Sequence, residues 1–178
     1  MILRDFVRDL AELCLRTPLA SGQALRWTVI ANPTAGGFTM RSRWKKHREA
    51  LKNALEKAGK NPRRDNAGPS QTAREADGPS GELGSLGLIP TRAPGHAGKI
   101  VRALLDEARS DTGPYSPFHL LITAGGDGTS LDALIPLFEA SPVLRSRFAV
   151  LRLPMGTGND GADAGDLGEA LDLLVFPT

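Results

Sequence analysis

The 178-residue sequence predicts an α/β fold in which helices cover both faces of a mostly parallel sheet. Two observations lead to this prediction. Short apolar runs typical of buried strands alternate with helical patterns, which implies right-handed crossovers between parallel strands. Three of these runs also end in turns rich in glycine and small polar residues. We therefore expect a Rossmann-like three-layer sandwich with these turns at its carboxyl edge, where such sheets bind ligands.

The N-terminal 25 residues are predicted to form a unit of their own, built on an amphipathic helix over residues 2–16. Apolar side chains recur at helical spacing from Leu3 to Cys14, and six charges that cancel fill the opposite face. This balance differs from the basic helices that lie on anionic membranes. The apolar face predicts docking on the rest of the domain or on a second subunit, which leaves a homodimer open.

The second unit, residues 26–178, is predicted to be the α/β domain itself. Its expected strands are residues 26–31, 86–90, 118–123 and 148–153. Its expected helices are residues 41–58, 95–109, 129–139 and 166–175. Residues 61–82 contain no Val, Ile, Leu, Met or aromatic residue, so they cannot bury enough apolar surface to offset their ordering entropy. A long flexible loop is therefore expected over residues 61–85.

The charge distribution is uneven although the net charge is only +2. Residues 1–110 carry 19 Lys and Arg against 11 Asp and Glu, whereas residues 111–178 carry 3 against 9. Several cations open the helix expected at 41–58, but no aromatic stacking motif accompanies them, so nucleic acid is not expected as a partner. The single cysteine and the lack of a membrane-spanning apolar run favour a cytoplasmic location, with peripheral membrane association left open.

The loop Gly125-Gly126-Asp127-Gly128-Thr129 is the first candidate for chemistry. Glycines permit unusual backbone conformations and close approach to a ligand, and the N–H groups of the helix that follows would face the loop. Thr129 is expected to cap that helix, with Asp132 completing a capping-box-like arrangement. The loop is either an anion cradle or a plain strand-to-helix turn in which Asp127 is the cap.

A second glycine-rich turn, Gly156-Thr157-Gly158-Asn159-Asp160, follows the strand expected at 148–153. Asn159 or Asp160 could serve merely as a helix cap. A third turn, beginning at Asn32-Pro33, follows the first strand. Three such turns at the ends of strands are expected to converge on one edge of the sheet.

Four blocks of the sequence follow one another along the predicted α/β domain. They are Ile30-Ala31-Asn32-Pro33 with Ala35-Gly36-Gly37, Thr91 with Gly95-His96-Ala97, Gly125-Gly126-Asp127-Gly128-Thr129 with Asp132, and Pro154-Met155-Gly156-Thr157-Gly158-Asn159-Asp160. Together they resemble the diacylglycerol kinase catalytic domain family, over about residues 26–176. The GGDGT loop alone is also found in NAD kinases, but the combination is much more specific to lipid kinases.

The resemblance implies a kinase that transfers the γ-phosphoryl group of ATP to a lipid hydroxyl with the help of Mg²⁺. Asp127 would be required for activity, through the metal or the acceptor hydroxyl, and no set of protein metal ligands is assigned. His96 matches a family histidine or serves as a capping or packing residue. The residues implied to contact the nucleotide are Asn32, Thr91, Gly125, Gly126, Asp127, Gly128, Thr129, Ser130, Leu131, Gly156 and Thr157.

The sequence also departs from the family pattern. The polar stretch 61–82 is longer than the corresponding family loop, and Leu131 stands where the family often has Asn. By the resemblance, family members continue into a second, mainly β domain that helps to form the lipid pocket, and we expect that domain to be missing from this chain. We therefore expect the chain alone to be inactive. A non-catalytic nucleotide-binding module and a NAD kinase relative are the alternatives.

Overall fold

The computed structural model describes residues 2–17, 25–60, 82–83, 86–111, 113, 116–157 and 164–176. The helices are α1 (Ile2–Arg16), α2 (Gly36–Thr39), α3 (Arg41–Gly59), α4 (His96–Ser110), α5 (Asp127–Glu139), α6 (Pro142–Arg145) and α7 (Leu167–Val175). The strands are β1 (Leu25–Ala31), β2 (Glu82–Leu83), β3 (Leu86–Pro90), β4 (Phe118–Gly125) and β5 (Phe148–Pro154).

The strands form one sheet in the order β2-β3-β1-β4-β5. Strand β1 pairs in parallel with β3 and β4, and β4 pairs in parallel with β5, whereas the short β2 runs antiparallel to β3. The mostly parallel α/β fold expected from the sequence is confirmed. The connection that leaves β1 leads to β3 on one side of the sheet's centre. The connection that leaves β4 leads to β5 on the opposite side. The space between the carboxyl ends of β1 and β4 is therefore a topological switch point, where ligands bind in open α/β sheets.

Helices cover the two faces of the sheet and enclose two apolar clusters. Successive side chains of a strand point to opposite faces. In β1, Trp27 and Val29 therefore join the cluster under α1, α3 and α7, whereas Ile30 joins the cluster under α4 and α5. Ile122 and Leu121 of β4 divide between the two clusters in the same way. This alternation is why apolar residues predominate in the four parallel strands, although Arg26 of β1 and Arg152 of β5 interrupt them.

Helix α1 packs against α3 and α7 and belongs to the same core as the sheet. The ring of Phe6 is fully buried and meets Phe38 edge-on, with 5.2 Å between the ring centroids, and it lies 6.3 Å from the ring of Trp44. Cys14 is also buried, and this burial raises the pKa of its thiol well above the usual value. The sequence left either the domain or a second subunit as the partner of the apolar face of α1. In the structure this face packs on the domain.

The structure differs from the expected elements in several places. Helix α5 begins two residues earlier than predicted, and the one-turn helices α2 and α6 were not predicted because neither is long enough to show a helical period. Of the loop expected over residues 61–85, residues 82 and 83 form β2, and the rest lies outside the described residues. In the described part of the chain, no helix has the length and apolar character needed to cross a bilayer.

Candidate functional site

Backbone hydrogen bonds hold the residues that follow the parallel strands in register with the sheet. The N–H of Asn32 donates to the carbonyl of Ala124 at 2.9 Å, and the N–H of Thr91 donates to the carbonyl of Ala31 at 2.8 Å. On the other side of β4, the N–H of Met155 donates to the carbonyl of Gly125 at 2.9 Å. These bonds place the turns after β1, β4 and β5 at one edge, as the sequence predicted, and they bring Thr91 after β3 to the same edge.

Asn32 connects the turn after β1 to the start of α5. Its side-chain Oδ1 accepts hydrogen bonds from the N–H of Thr34 at 3.0 Å and from the Thr34 hydroxyl at 2.8 Å. Its Nδ2 donates to Oγ1 of Thr129 at 3.4 Å. Because both functions of the amide are used, the side chain of Asn32 has a fixed orientation across the switch point.

A cleft of about 450 Å³ opens at this switch point, within the size range of ligand sites. Its walls come from the turns after β1 and β3 and from the first turns of α4 and α5. Four predicted nucleotide contacts line it, namely Asn32, Thr91, Gly128 and Thr129. The other lining residues are Thr34, Arg92, Ala93, Pro94, Ala97 and Asp132.

Sequence reasoning did not predict Arg92 as a site residue. It is the most important of the unpredicted lining residues, because it is an exposed cation on the rim of the cleft. The signal was available: it directly follows Thr91 at the carboxyl end of a parallel strand, and such ends form the ligand crevice. Asp132 was predicted only as part of a capping arrangement and as the acid of a motif. Its Oδ2 accepts a hydrogen bond from the N–H of Gly95 at 2.6 Å, which ties the turn before α4 to α5.

The start of α5 corrects the expected capping. The N-cap is Gly126, whose backbone is extended (φ −89°, ψ −178°), and no side chain caps the first turn. Thr129 lies inside the helix, so it is not the cap, and Asp132 bonds to Gly95 rather than to its own helix. Asp127 is the first residue of α5, where a negative charge interacts favourably with the helix dipole. The helix therefore presents the backbone of its first turn, without a capping side chain, at the cleft.

The glycines of this loop provide space rather than unusual backbone angles, which corrects the expectation that they adopt conformations forbidden to other residues. In the described part of the chain only Gly95 has a positive φ, at 75°. A Cβ on Gly125 would lie 2.7 Å from Cβ and Oγ1 of Thr129. A Cβ on Gly128 would meet nothing within 4 Å. Gly125 is thus required for packing, whereas Gly128 leaves the cleft open.

The turn at Gly156 and Thr157 adjoins the glycine loop without lining the cleft. A Cβ on Gly126 would lie 3.5 Å from Cα of Gly156. Arg43 donates through Nη1 to the carbonyl of Gly156 at 2.6 Å, which fixes this turn to the first turn of α3. Thr157 is exposed. Residues 158–163, which include the predicted Gly158, Asn159 and Asp160, lie outside the described residues.

Two further predicted contacts point away from the cleft. Ser130 is buried, and its hydroxyl forms a hydrogen bond of 3.0 Å with the hydroxyl of Thr123 on β4. The side chain of Leu131 is 58% exposed on the outer face of α5. The side chain of Ser130 therefore anchors the helix to the sheet.

His96 is the first residue of α4, and its ring has a structural contact. Nδ1 accepts a hydrogen bond from the backbone N–H of Arg92 at 3.0 Å. This bond closes the turn between β3 and α4 and sets the position of Arg92 on the rim. His96 therefore has a structural contact in the turn, but it does not cap α4, whose N-cap is Gly95 without a side-chain bond.

The described residues contain no cluster of three His, Cys, Asp or Glu side chains that could hold a metal ion by themselves. Mg²⁺ in nucleotide sites is usually held by one or two carboxylates together with substrate phosphates, so such a cluster is not required. Asp127, at the start of α5, and Asp132, in the cleft, are the carboxylates of α5 nearest to this edge.

Fold and site together define a class: an α/β protein with a helix N-terminus and glycine-rich turns at a switch-point cleft. The family model described as "Diacylglycerol kinase catalytic domain" matches residues 26–175, and the chain belongs to this family. Among solved structures, the chain is similar to "a putative diacylglycerol kinase from Bacillus anthracis str. Sterne", with a TM-score of 0.49 and 19% sequence identity. The match covers 87% of this chain but 40% of that one. No curated protein matches this chain.

Proposed function

We propose that the chain binds the phosphates of ATP in the switch-point cleft, as the nucleotide-binding part of an ATP-dependent lipid kinase. The observation that carries the proposal is the start of α5, which meets the cleft with a glycine N-cap and no capping side chain. The N–H groups of a helix N-terminus and its dipole both favour a negatively charged ligand. Family membership supports ATP as the source of that charge.

The residues around the cleft fit a polyphosphate. The open space over Gly128 lets the ligand approach the backbone of α5 closely. Thr91 and Thr129 offer hydroxyl groups, and Arg92 adds a positive charge on the rim. Gly126, Gly156 and Thr157 stay predicted nucleotide contacts, since a longer ligand would extend from the cleft toward them.

In the proposed reaction, Asp127 acts at the reacting end of the nucleotide. Its place at the first position of α5 puts a carboxylate beside the phosphates that the helix would bind. Mg²⁺, held there with the phosphates, would neutralise charge that develops during transfer. Catalysis in phosphoryl transfer rests mainly on such positioning and electrostatics. ATP as donor is also consistent with a cytoplasmic location.

The binding step is tested with a matched pair of variants. Gly128→Val places a side chain in the open cleft without a clash in the protein, so we expect ATP affinity to fall at least tenfold by calorimetry. Gly59→Val makes the same change at the end of α3, where a Cβ would make an ordinary contact of 3.6 Å with Arg16. It should bind ATP like the parent chain. Equal affinity of all three proteins would refute the proposed cleft.

The transfer step is tested by Asp127→Asn in the full-length protein. Transfer from radiolabelled ATP to diacylglycerol should fall by about 10²-fold or more, as for other groups that act in the transition state. ATP binding without any transfer by the parent protein would favour the non-catalytic module. Phosphorylation of NAD and of no lipid would favour the NAD kinase alternative.

A further inference from the structure

Helix α3 carries four exposed cations in a single row, which we call the α3 stripe. The spacing is i, i+4, i+7 and i+11, which places all four side chains on one face of a helix. At 1.5 Å per residue the row is about 16 Å long. Its members are Arg41, Lys45, Arg48 and Lys52.

The α3 stripe is unfavourable for the stability of the helix that carries it. Like charges four residues apart repel each other, and cations near a helix N-terminus oppose the helix dipole. The first turn of α3 contains no acid to offset this. Among the described residues, Lys52 has a distant ion pair with Glu56 at 3.8 Å, and the other three cations form none. A row of exposed charge that costs stability indicates an external anionic partner.

The stripe borders a shallow groove of about 1340 Å³ between α3 and α1. Its floor includes Trp44 and Leu55, and Met40 stands at its start with 45% of its surface exposed. Two acids, Asp9 and Glu49, also line the groove, and Asp9 is paired with Arg8 at 2.9 Å. Cations therefore dominate the groove, with one exposed apolar side chain at its end.

The stripe begins at the same edge of the molecule as the cleft. Arg43, in the first turn of α3, donates a hydrogen bond to Gly156 next to the glycine loop. A surface that lies against Met40 and Arg41 would thus be close to the carboxyl edge of the sheet. This position would matter for an enzyme whose acceptor lies in a membrane.

We propose that the α3 stripe docks the domain on the surface of an anionic lipid bilayer, with Met40 entering the interface. The proposal rests on the proposed function, because a lipid acceptor is found at such a surface. Each Lys or Arg held near an anionic leaflet strengthens binding about fivefold. Single-stranded nucleic acid fits the groove less well, because stacking on exposed rings supports such binding and Trp44 is only 9% exposed.

The test measures partition of the chain onto vesicles by sedimentation. Phosphatidylcholine vesicles with 30 mol% phosphatidylglycerol should bind the chain much more tightly than pure phosphatidylcholine, with binding that weakens as salt rises. The double variant Lys45→Ala, Arg48→Ala should partition about 30-fold more weakly, since two cations are removed. Alanine is the best helix former, so the fold of α3 should not suffer.

The control is Arg102→Ala, Arg109→Ala, which removes the same charge from exposed positions of α4 in the opposite layer. It should partition within about twofold of the parent chain. Equal loss in the two double variants, or equal binding to both kinds of vesicle, would overturn the proposal, as would tighter binding to single-stranded RNA than to the anionic vesicles. ATP affinity is measured on the α3 variant as well. If docking fails but ATP still binds with unchanged affinity, only the docking proposal is overturned and the proposed function stands.

Discussion

At the scale of single residues, the contact between Gly125 and Thr129 shows how strand β4 can lead directly into helix α5. The last residue of β4 lies against the side chain of Thr129, which is itself oriented by Asn32. Any side chain at Gly125 would push Thr129 away from that position. The loop thus depends on Gly125 for packing against Thr129, and Gly128 keeps the cleft open.

The first prediction contrasts these two glycines. Gly125→Ala should lower the free energy of unfolding by about 1–3 kcal/mol, as overpacking does in dense interiors. Gly128→Ala, at an open helical position, should be neutral or raise it by about 0.5–1 kcal/mol. Urea denaturation of both variants measures the difference. If Gly125→Ala were as stable as Gly128→Ala, the close contact with Thr129 would be wrong.

His119 is a buried residue whose ionisation affects stability. It is 3% exposed and stacks on Phe148 with 4.5 Å between ring centroids, and among the described residues neither ring nitrogen has a hydrogen-bond partner. Burial lowers its pKa, and the positive charges of Arg26 and Arg147 add to this effect. The folded protein therefore holds the neutral ring, whereas the unfolded chain binds a proton near pH 6.5.

The second prediction follows from this difference. Since the unfolded chain takes up the proton first, the free energy of unfolding should fall as the pH is lowered through about 6.5 toward the folded pKa of His119. His119→Phe should show a smaller fall between pH 7.5 and 5.5. The part of the fall in unfolding free energy that is due to His47 should remain, because burial lowers the pKa of that residue as well. Identical pH profiles of the two proteins would contradict the assignment.

At the scale of elements, α1 is a structural part of the α/β domain. Its buried face fills the space above α3 and α7, and the hydroxyl of Thr17, just after the helix, donates to the carbonyl of Leu174 in α7. The helix thus closes the apolar cluster on this side of the sheet. Without it, Phe38 and Trp44 would lose the ring of Phe6.

The third prediction concerns this docking. Phe6→Ala should lower the free energy of unfolding by about 3–5 kcal/mol, as is usual for a fully buried aromatic ring. Ile2→Ala, at a 37% exposed position of the same helix, should cost much less. Cys14 offers a second measurement: its buried thiol should react slowly with a thiol reagent in the parent chain and markedly faster in Phe6→Ala. A fast parent reaction would show that α1 is not docked.

The same elements show what the sequence could and could not predict. The apolar runs of β1, β4 and β5 stood out because parallel strands are buried on both faces. The start of α5 was misplaced because Thr129 followed by Asp132 resembles a capping pattern, while the real N-cap, Gly126, has no side chain to indicate it. The contact between Asp132 and Gly95 joins residues 37 positions apart, and no local pattern reports such a pair.

At the scale of the whole molecule, ligand binding and folding are linked. The cleft exists only when the turns after β1 and β3 and the start of α5 are assembled, so ATP should bind the folded chain and not the unfolded one. A ligand of this kind stabilises the folded state in proportion to the logarithm of its concentration. The three segments that form the cleft would then gain stability together.

The fourth prediction uses this linkage. ATP at 100 times its dissociation constant should stabilise the parent chain by about 2.7 kcal/mol, which corresponds to a rise in Tm of about 5–10 °C for a chain of this size. Gly128→Val, whose affinity is expected to be at least tenfold lower, should show about half of that rise or less at the same ATP concentration. Differential scanning calorimetry measures both. A parent Tm that does not respond to ATP at any concentration would count against a nucleotide site in this domain.

The position of β1 at the centre of the sheet also affects how the chain folds during its synthesis. Leu25 of β1 pairs with Phe118 of β4, 93 positions later. At typical rates of translation the ribosome needs about 5–20 s to make that stretch. During this time β1 lacks its partner β4, although α1 is already complete. The amphipathic N-terminal helix is thus available to shield β1 and the early residues of α3 in the nascent chain before the sheet can close around them.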